Sequence, residues 1–221
     1  LLTRSAFRRR SKGFWESADN KSQVNPIEVE MTEAFKLNNG HVFVIVEAPG
    51  GIYNAHQMQL LTAFCDDYQA VIKATEDDRL GMIVAEDKVA EVAERLTTVG
   101  LSFRHYQSGL HQARACIGEL CPHAKQDAVS TAIAVADGLS EVQTESPFRI
   151  GINGCAQSCL ASHTLDVSLT GDTSGYRFDI GGKSSQIPEM AAYMAEGVPA
   201  EKVPELISKL VETYNKLREL S

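Results

Sequence analysis

"HVFVIVEAPGGIYNAHQMQLLTAFCDDYQAVIKAT", residues 41 to 75, sets the fold. Its first eight residues are rich in β-branched side chains and stop at Pro49-Gly50-Gly51, which predicts a strand over 41–48. Asn54 followed by Gln57 has the form of a capping box. Met58, Leu61, Cys65 and Tyr68 then recur at three- and four-residue spacing, predicting an amphipathic helix with Cys65 in the core. A second strand over 70–75 closes the stretch. After the acidic turn Glu76-Asp77-Asp78 comes "RLGMIVA" (79–85), a third strand. Asp87 then opens a helix with Val89, Val92, Leu96 and Val99 on one face, stopped by Gly100, and "LSFRHY" (101–106) is a last short strand. The order β-α-β-β-α-β is the ferredoxin-like, or split βαβ, arrangement, a topology that implies no iron and no one function.

Upstream, residues 1–37 are polar and without periodicity, and read as a basic arm. Arg4, Arg8, Arg9, Arg10 and Lys12 have no apolar stretch behind them, so a secretory signal is not expected. The chain carries a net charge of −8, and these five cations leave about −13 on the rest. An acidic body argues against a nucleic-acid partner, which needs clustered Lys and Arg. The longest apolar runs, such as "VFVIV" (42–46), are far too short to span a membrane. Five cysteines without an export signal point to a reducing, cytoplasmic compartment.

Downstream, a second unit starts at Gly109. It holds an Ala-rich helix over about 124–139 and strands at 148–152, 165–171 and 176–182. One or two C-terminal helices follow, the last packing through Val203, Leu206, Leu210, Tyr214 and Leu217. The expected architecture is therefore α+β: an arm (1–37), a ferredoxin-like half-domain (38–108) and a mixed α/β domain (109–221).

The second unit concentrates the chemistry. "ARACIGELCPHAKQDA" (113–128) and "INGCAQSCLAS" (152–162) hold four of the five cysteines, as Cys116–x4–Cys121 and Cys155–x3–Cys159. Thiolates are soft ligands that suit zinc or an iron–sulfur cluster. Structural zinc sites favour two intervening residues, whereas these gaps are four and three. Gly118 lies inside the first pair and Gly154 just before the second, where glycine lets backbone approach an inorganic core and aim N–H groups at its sulfides. That favours a [4Fe–4S] cluster over structural zinc or four buried apolar cysteines. His105, His111 and His123 flank the first pair and could ligate, relay protons or sit on a surface. Arg114 and Lys125 flank it too, as candidates for anion contacts. Neither a G-x-G-x-x-G after a strand nor a Walker loop is present, so no nucleotide site is expected.

At these residues the chain resembles the siroheme-dependent nitrite and sulfite reductase family, which joins a ferredoxin-like half-domain to a [4Fe–4S] domain. "ACIGELC" is similar to its first cysteine motif and "NGCAQSC" to its second. The likeness continues through "DIGG" (179–182) and the terminal "GVPAEKVPELISKLVETYNKLREL". The resemblance implies that Cys116, Cys121, Cys155 and Cys159 bind the cluster and that Cys159 also bridges to the siroheme iron. It implies an oxidoreductase in which an external donor protein feeds electrons to the cluster and siroheme, where a small inorganic anion, sulfite or nitrite, is reduced. Arg normally holds the macrocycle's carboxylates in such a site. This chain departs from the family in three respects. Its first cysteine pair is one spacer residue short. "ATEDDRL" puts Glu76 and Asp77 where the family has a siroheme-binding Arg, with Arg79 the nearest cation. It also holds one copy of a unit that larger members carry twice, for which a homodimer is the natural expectation. A siroheme-free [4Fe–4S] electron-transfer or binding protein is the alternative, and a structural zinc protein the third.

Overall fold

The computed structural model describes residues 35–75, 79–105, 110–111, 113–139, 142, 144 and 146–219, with the side chains of 104 and 105 excepted. The arm up to residue 34, Glu76, Asp77 and the expected domain boundary at 108/109 lie outside the described residues.

The expected half-domain is present in its expected order: β2 (His41–Glu47), α1 (Ala55–Tyr68), β3 (Val71–Ala74), β4 (Leu80–Ala85), α2 (Val89–Thr97) and β5 (Ser102–His105). Across the sheet the strands run β3, β4, β2, β5, all neighbours antiparallel. A two-residue strand, β1 (Phe35–Lys36), shares the β5 edge of β2, inside the stretch expected to be an arm.

Alternation along β2 sends Val42, Val44 and Val46 into a core with Leu61, Phe64, Met82, Val92 and Leu96, while Glu47 points to the opposite face. The Asn54–Gln57 capping box forms in both directions, at 2.9 Å each. The stripe of α1 differs from the expected one. Gln57, Leu61 and Phe64 are its buried residues, Met58 is exposed and Cys65 half-buried, so the face that meets the sheet is rotated from the expected stripe toward Phe64. Asp87 opens a 3-10 turn, Glu86–Lys88, that leads into α2.

The second unit builds a sheet in the order β10, β9, β8, β7, β6: β6 (Arg114–Ala115), β7 (Ile150–Asn153), β8 (Val167–Asp172), β9 (Gly175–Ile180) and β10 (Ala192–Val198). β6, β7 and β8 are parallel neighbours, and β9 and β10 are antiparallel additions. α3 (Ala128–Gly138) and α4 (Val203–Glu219) pack on it around Val135, Ile150, Ile152, Leu169, Tyr176 and Ile207. β10 occupies chain where a first C-terminal helix was conceivable. In α4 the fully buried line is Val203–Ile207–Val211, with Leu206, Leu210 and Tyr214 beside it and Leu217 exposed. No helix among the described residues is long and apolar enough to cross a membrane.

Several contacts among the described residues join the units. Gly50 and Gly51, both left-handed at φ 67° and 72°, turn the chain leaving β2 alongside β6. Gly50 N–H donates to Ala113 O (3.1 Å), and Ala115 N–H donates to Gly50 O (3.3 Å). Beside this bridge lies a buried ionisable cluster. Arg79 Nε is 3.2 Å from Glu47 Oε1, Arg79 Nη1 is 2.7 Å from His111 Nδ1, and His111 Nδ1 is 3.1 Å from Glu47 Oε1. Exposures of 4, 1 and 3% for Arg79, Glu47 and His111 mean that the Arg79 and Glu47 charges answer to each other and to the His111 ring rather than to water. Nδ1 serves one neighbour at a time, accepting from Arg79 or donating to Glu47.

Candidate cofactor site

Both cysteine segments leave the carboxyl ends of adjacent parallel strands, where open α/β sheets place their ligands. β6 runs directly into Cys116, whose N–H donates to Ile152 O on β7 (3.0 Å). A 3-10 turn, Gly118–Leu120, then brings Cys121 round, with Cys121 N–H bonded to Gly118 O (3.0 Å). β7 ends at Asn153 and passes through Gly154 to Cys155. The tight turns Ser158 N–H to Cys155 O (3.2 Å) and Ala161 N–H to Ser158 O (2.9 Å) place Cys159. Ser158 and Ala161 hold left-handed backbone (φ 47° and 48°) without being glycine, a strain of about 1 kcal/mol each.

Gly154 stitches the two segments together. Its carbonyl accepts the Lys125 and Gln126 N–H groups (2.8 and 3.1 Å), and its own N–H donates to Cys116 Sγ (3.2 Å). A Cβ at this position would sit 2.7 Å from the Gln126 carbonyl oxygen. Gly118 is left-handed at φ 57°, and a Cβ there would press on Val129 Cγ2 at 2.9 Å, so its service is to the turn and to α3. Of the two glycines expected to approach a cluster, Gly154 is the one whose N–H is aimed at a sulfur.

All four thiols line one cavity of about 420 Å³, together with Gly51, Ile52 and other mostly apolar groups. All four are free of disulfides, and Cys159 is the exposed one. Among the described residues no three His, Cys, Asp or Glu side chains converge on a single-ion site. The four cysteines share the lining of this one cavity. Ser158 also lines this cavity, and its buried Oγ has no hydrogen-bond partner among the described residues. Behind Cys116, the Tyr176 hydroxyl is 3.0 Å from Thr131 Oγ1, and burial pushes its pKa up to about 12, so it stays neutral.

The remaining candidates separate. Arg114 is buried on β6 and Lys125 is exposed, and neither lines the cavity; nor does Arg79, held at the junction. His111 is buried in the junction, His123 is exposed, and the side chain of His105 is outside the described residues. Among the described residues, no Lys or Arg lines the cavity. Sequence reading missed Gly51 and Ile52 as cavity wall and Asn153 beneath it. The tandem glycines and a polar residue ending an apolar strand were the available signals.

Residues 106–219, just over half of the chain, match the family described as the nitrite and sulphite reductase 4Fe-4S domain. The chain belongs to this family. It is 24% identical over 191 residues to a nitrite reductase [NAD(P)H] of Emericella nidulans, covering 84% of this chain but 17% of that protein. It is 26% identical over 175 residues to an assimilatory-type sulfite reductase of Nitratidesulfovibrio vulgaris, covering 77% of this chain and 79% of that one. The solved NirA protein of Mycobacterium tuberculosis superposes with a TM-score of 0.69 at 16% identity, over 79% of this chain and 34% of that one. That likeness establishes the fold. The family's 4Fe-4S description agrees with the cluster favoured by the cysteine spacing.

Proposed function

We propose that Cys116, Cys121, Cys155 and Cys159 hold a [4Fe–4S] cluster and that the protein is a small sulfite or nitrite reductase-type oxidoreductase. The observation that carries this reading is the convergence of both cysteine pairs on one cavity at the ends of parallel β6 and β7. When bound, the cluster supplies one-electron redox capacity. The chain's part is to line the site with mostly apolar groups, Ile52 among them, and to aim the Gly154 N–H at Cys116 Sγ. The exposure of Cys159 supports giving it the contact with siroheme in this reading. In this reading the protein is cytoplasmic, takes electrons from an external donor protein and pairs as a homodimer.

A siroheme-free electron carrier is the second reading, favoured by a cavity wall that is mostly apolar and without Lys or Arg among the described residues, where a carboxylate-rich macrocycle would want cations. Anaerobic purification with visible spectra and iron, zinc and acid-labile sulfide assays tests both. We expect iron and sulfide in equal amounts, lost in Cys116→Ser and Cys155→Ser. Tetrapyrrole bands and dye-linked sulfite or nitrite reduction select the enzyme, and iron and sulfide without them select the carrier. Zinc alone would falsify both.

A further inference from the structure

The loop carrying Cys155 and Cys159 is closed at its neck by neutral hydrogen bonds. Asn153, the last residue of β7, is 1% exposed. Its Nδ2 donates to Ser162 Oγ at 2.7 Å, and its Oδ1 accepts the Leu160 N–H at 3.1 Å. Ser162 Oγ lies 2.6 Å from Ser168 Oγ on β8, and both serines are fully buried. The residue before the loop is thus tied to the residue after it, and the latter to the neighbouring strand. The neck is packed as well as bonded, since a Cβ on Gly151 would stand 2.7 Å from Ser162 Cβ. An amide suits this place because it offers a fixed donor and a fixed acceptor in one plane, and burial keeps water from replacing either. Inside the neck, left-handed Ser158 and Ala161 would relax if the ends parted, carrying Cys159 with them.

We infer that Asn153 is a positioning residue that fixes Cys155 and Cys159 in ligating geometry through Leu160 and Ser162. The inference rests on the reading of the four cysteines as cluster ligands. Being uncharged and bonded to the loop ends, Asn153 acts by holding the loop, so its loss shows first in how tightly the cluster is retained.

The test uses the full chain, reconstituted anaerobically with ferrous iron and sulfide, as wild type, Asn153→Ala, Ser162→Ala and Ile207→Val. The last trims the fully buried Ile207 of α4, away from the loop, and serves as a control for general destabilisation. Melting temperature and the rate of cluster loss to an iron chelator, followed by visible absorbance, are measured on each. Asn153→Ala should release its cluster about 10- to 100-fold faster than wild type, the usual effect of removing an outer-shell partner. Ser162→Ala, which keeps the Leu160 bond, should fall between them, and Ile207→Val should lower the melting temperature with release unchanged. If Asn153→Ala does not fold, Ser162→Ala carries the comparison. Release at the wild-type rate from the loop variants, or equal acceleration in Ile207→Val, overturns the positioning role and leaves the cluster reading intact. A wild-type chain that takes up no iron and sulfide overturns both.

Discussion

Gly154 concentrates three demands in one residue. Its carbonyl serves two N–H groups of the first cysteine segment, its N–H serves Cys116 Sγ, and its missing side chain leaves room for the Gln126 carbonyl. The obstacle to any larger residue is backbone, which cannot swing aside as a side chain can. Gly154→Ala should therefore push the two segments apart, and reconstituted protein should hold less than half the wild-type iron and sulfide while its far-ultraviolet circular dichroism is retained. Part of this was readable from the sequence, since a glycine beside a cysteine pair signals close approach. What was not readable is which neighbour approaches, because Lys125 and Gln126 reach Gly154 only through the pairing of β6 with β7.

At the scale of elements, α3 depends on its start. Asp127 accepts hydrogen bonds from Val129 and Ser130 N–H at 3.2 Å, and the turn carrying Gly118 packs against that same end. Asp127→Ala should lower stability by about 1 kcal/mol in urea unfolding, the ordinary effect of losing an N-cap. The cap explains why α3 begins at Ala128 when the Ala-rich stretch suggests an earlier start. Strands β2, β4 and β7 were legible as largely apolar runs, and β8 and β9 as apolar–polar alternation ended by turn residues. β6 is two residues long and exists through its parallel partner, so no local pattern announces it. β10 has the composition of a helix in "AYMAEGV" and is exposed along much of its length. Pairing with β9, through register shifts at Tyr193/Ala195 and Ala195/Val198, overrides propensity there.

Across the whole molecule, the sequence gives no hint that Glu47, Arg79 and His111 meet, since they lie on three separate segments and each alone looks like a surface residue. Their burial makes the junction sensitive to a single change. Arg79→Met leaves the Glu47 carboxylate in a dry site, and equilibrium unfolding should record a loss of about 3–5 kcal/mol. The double variant Glu47→Leu/Arg79→Met should recover most of it, since no stranded charge remains. A loss below about 1 kcal/mol in the single variant would mean that water reaches the pair.

The bridge from Gly50 to Ala113 and Ala115 crosses the point where the family match begins in this chain. β6 has β7 on one side and the Gly50 backbone on the other. Cutting the chain at residue 106, where the family match begins, would bare the N–H and C=O groups of the strand that delivers Cys116. An exposed edge of that kind invites pairing with other chains. In this chain the segment that matches the family is therefore smaller than the unit that closes its sheet, and the half-domain covers the open edge of the strand that delivers Cys116.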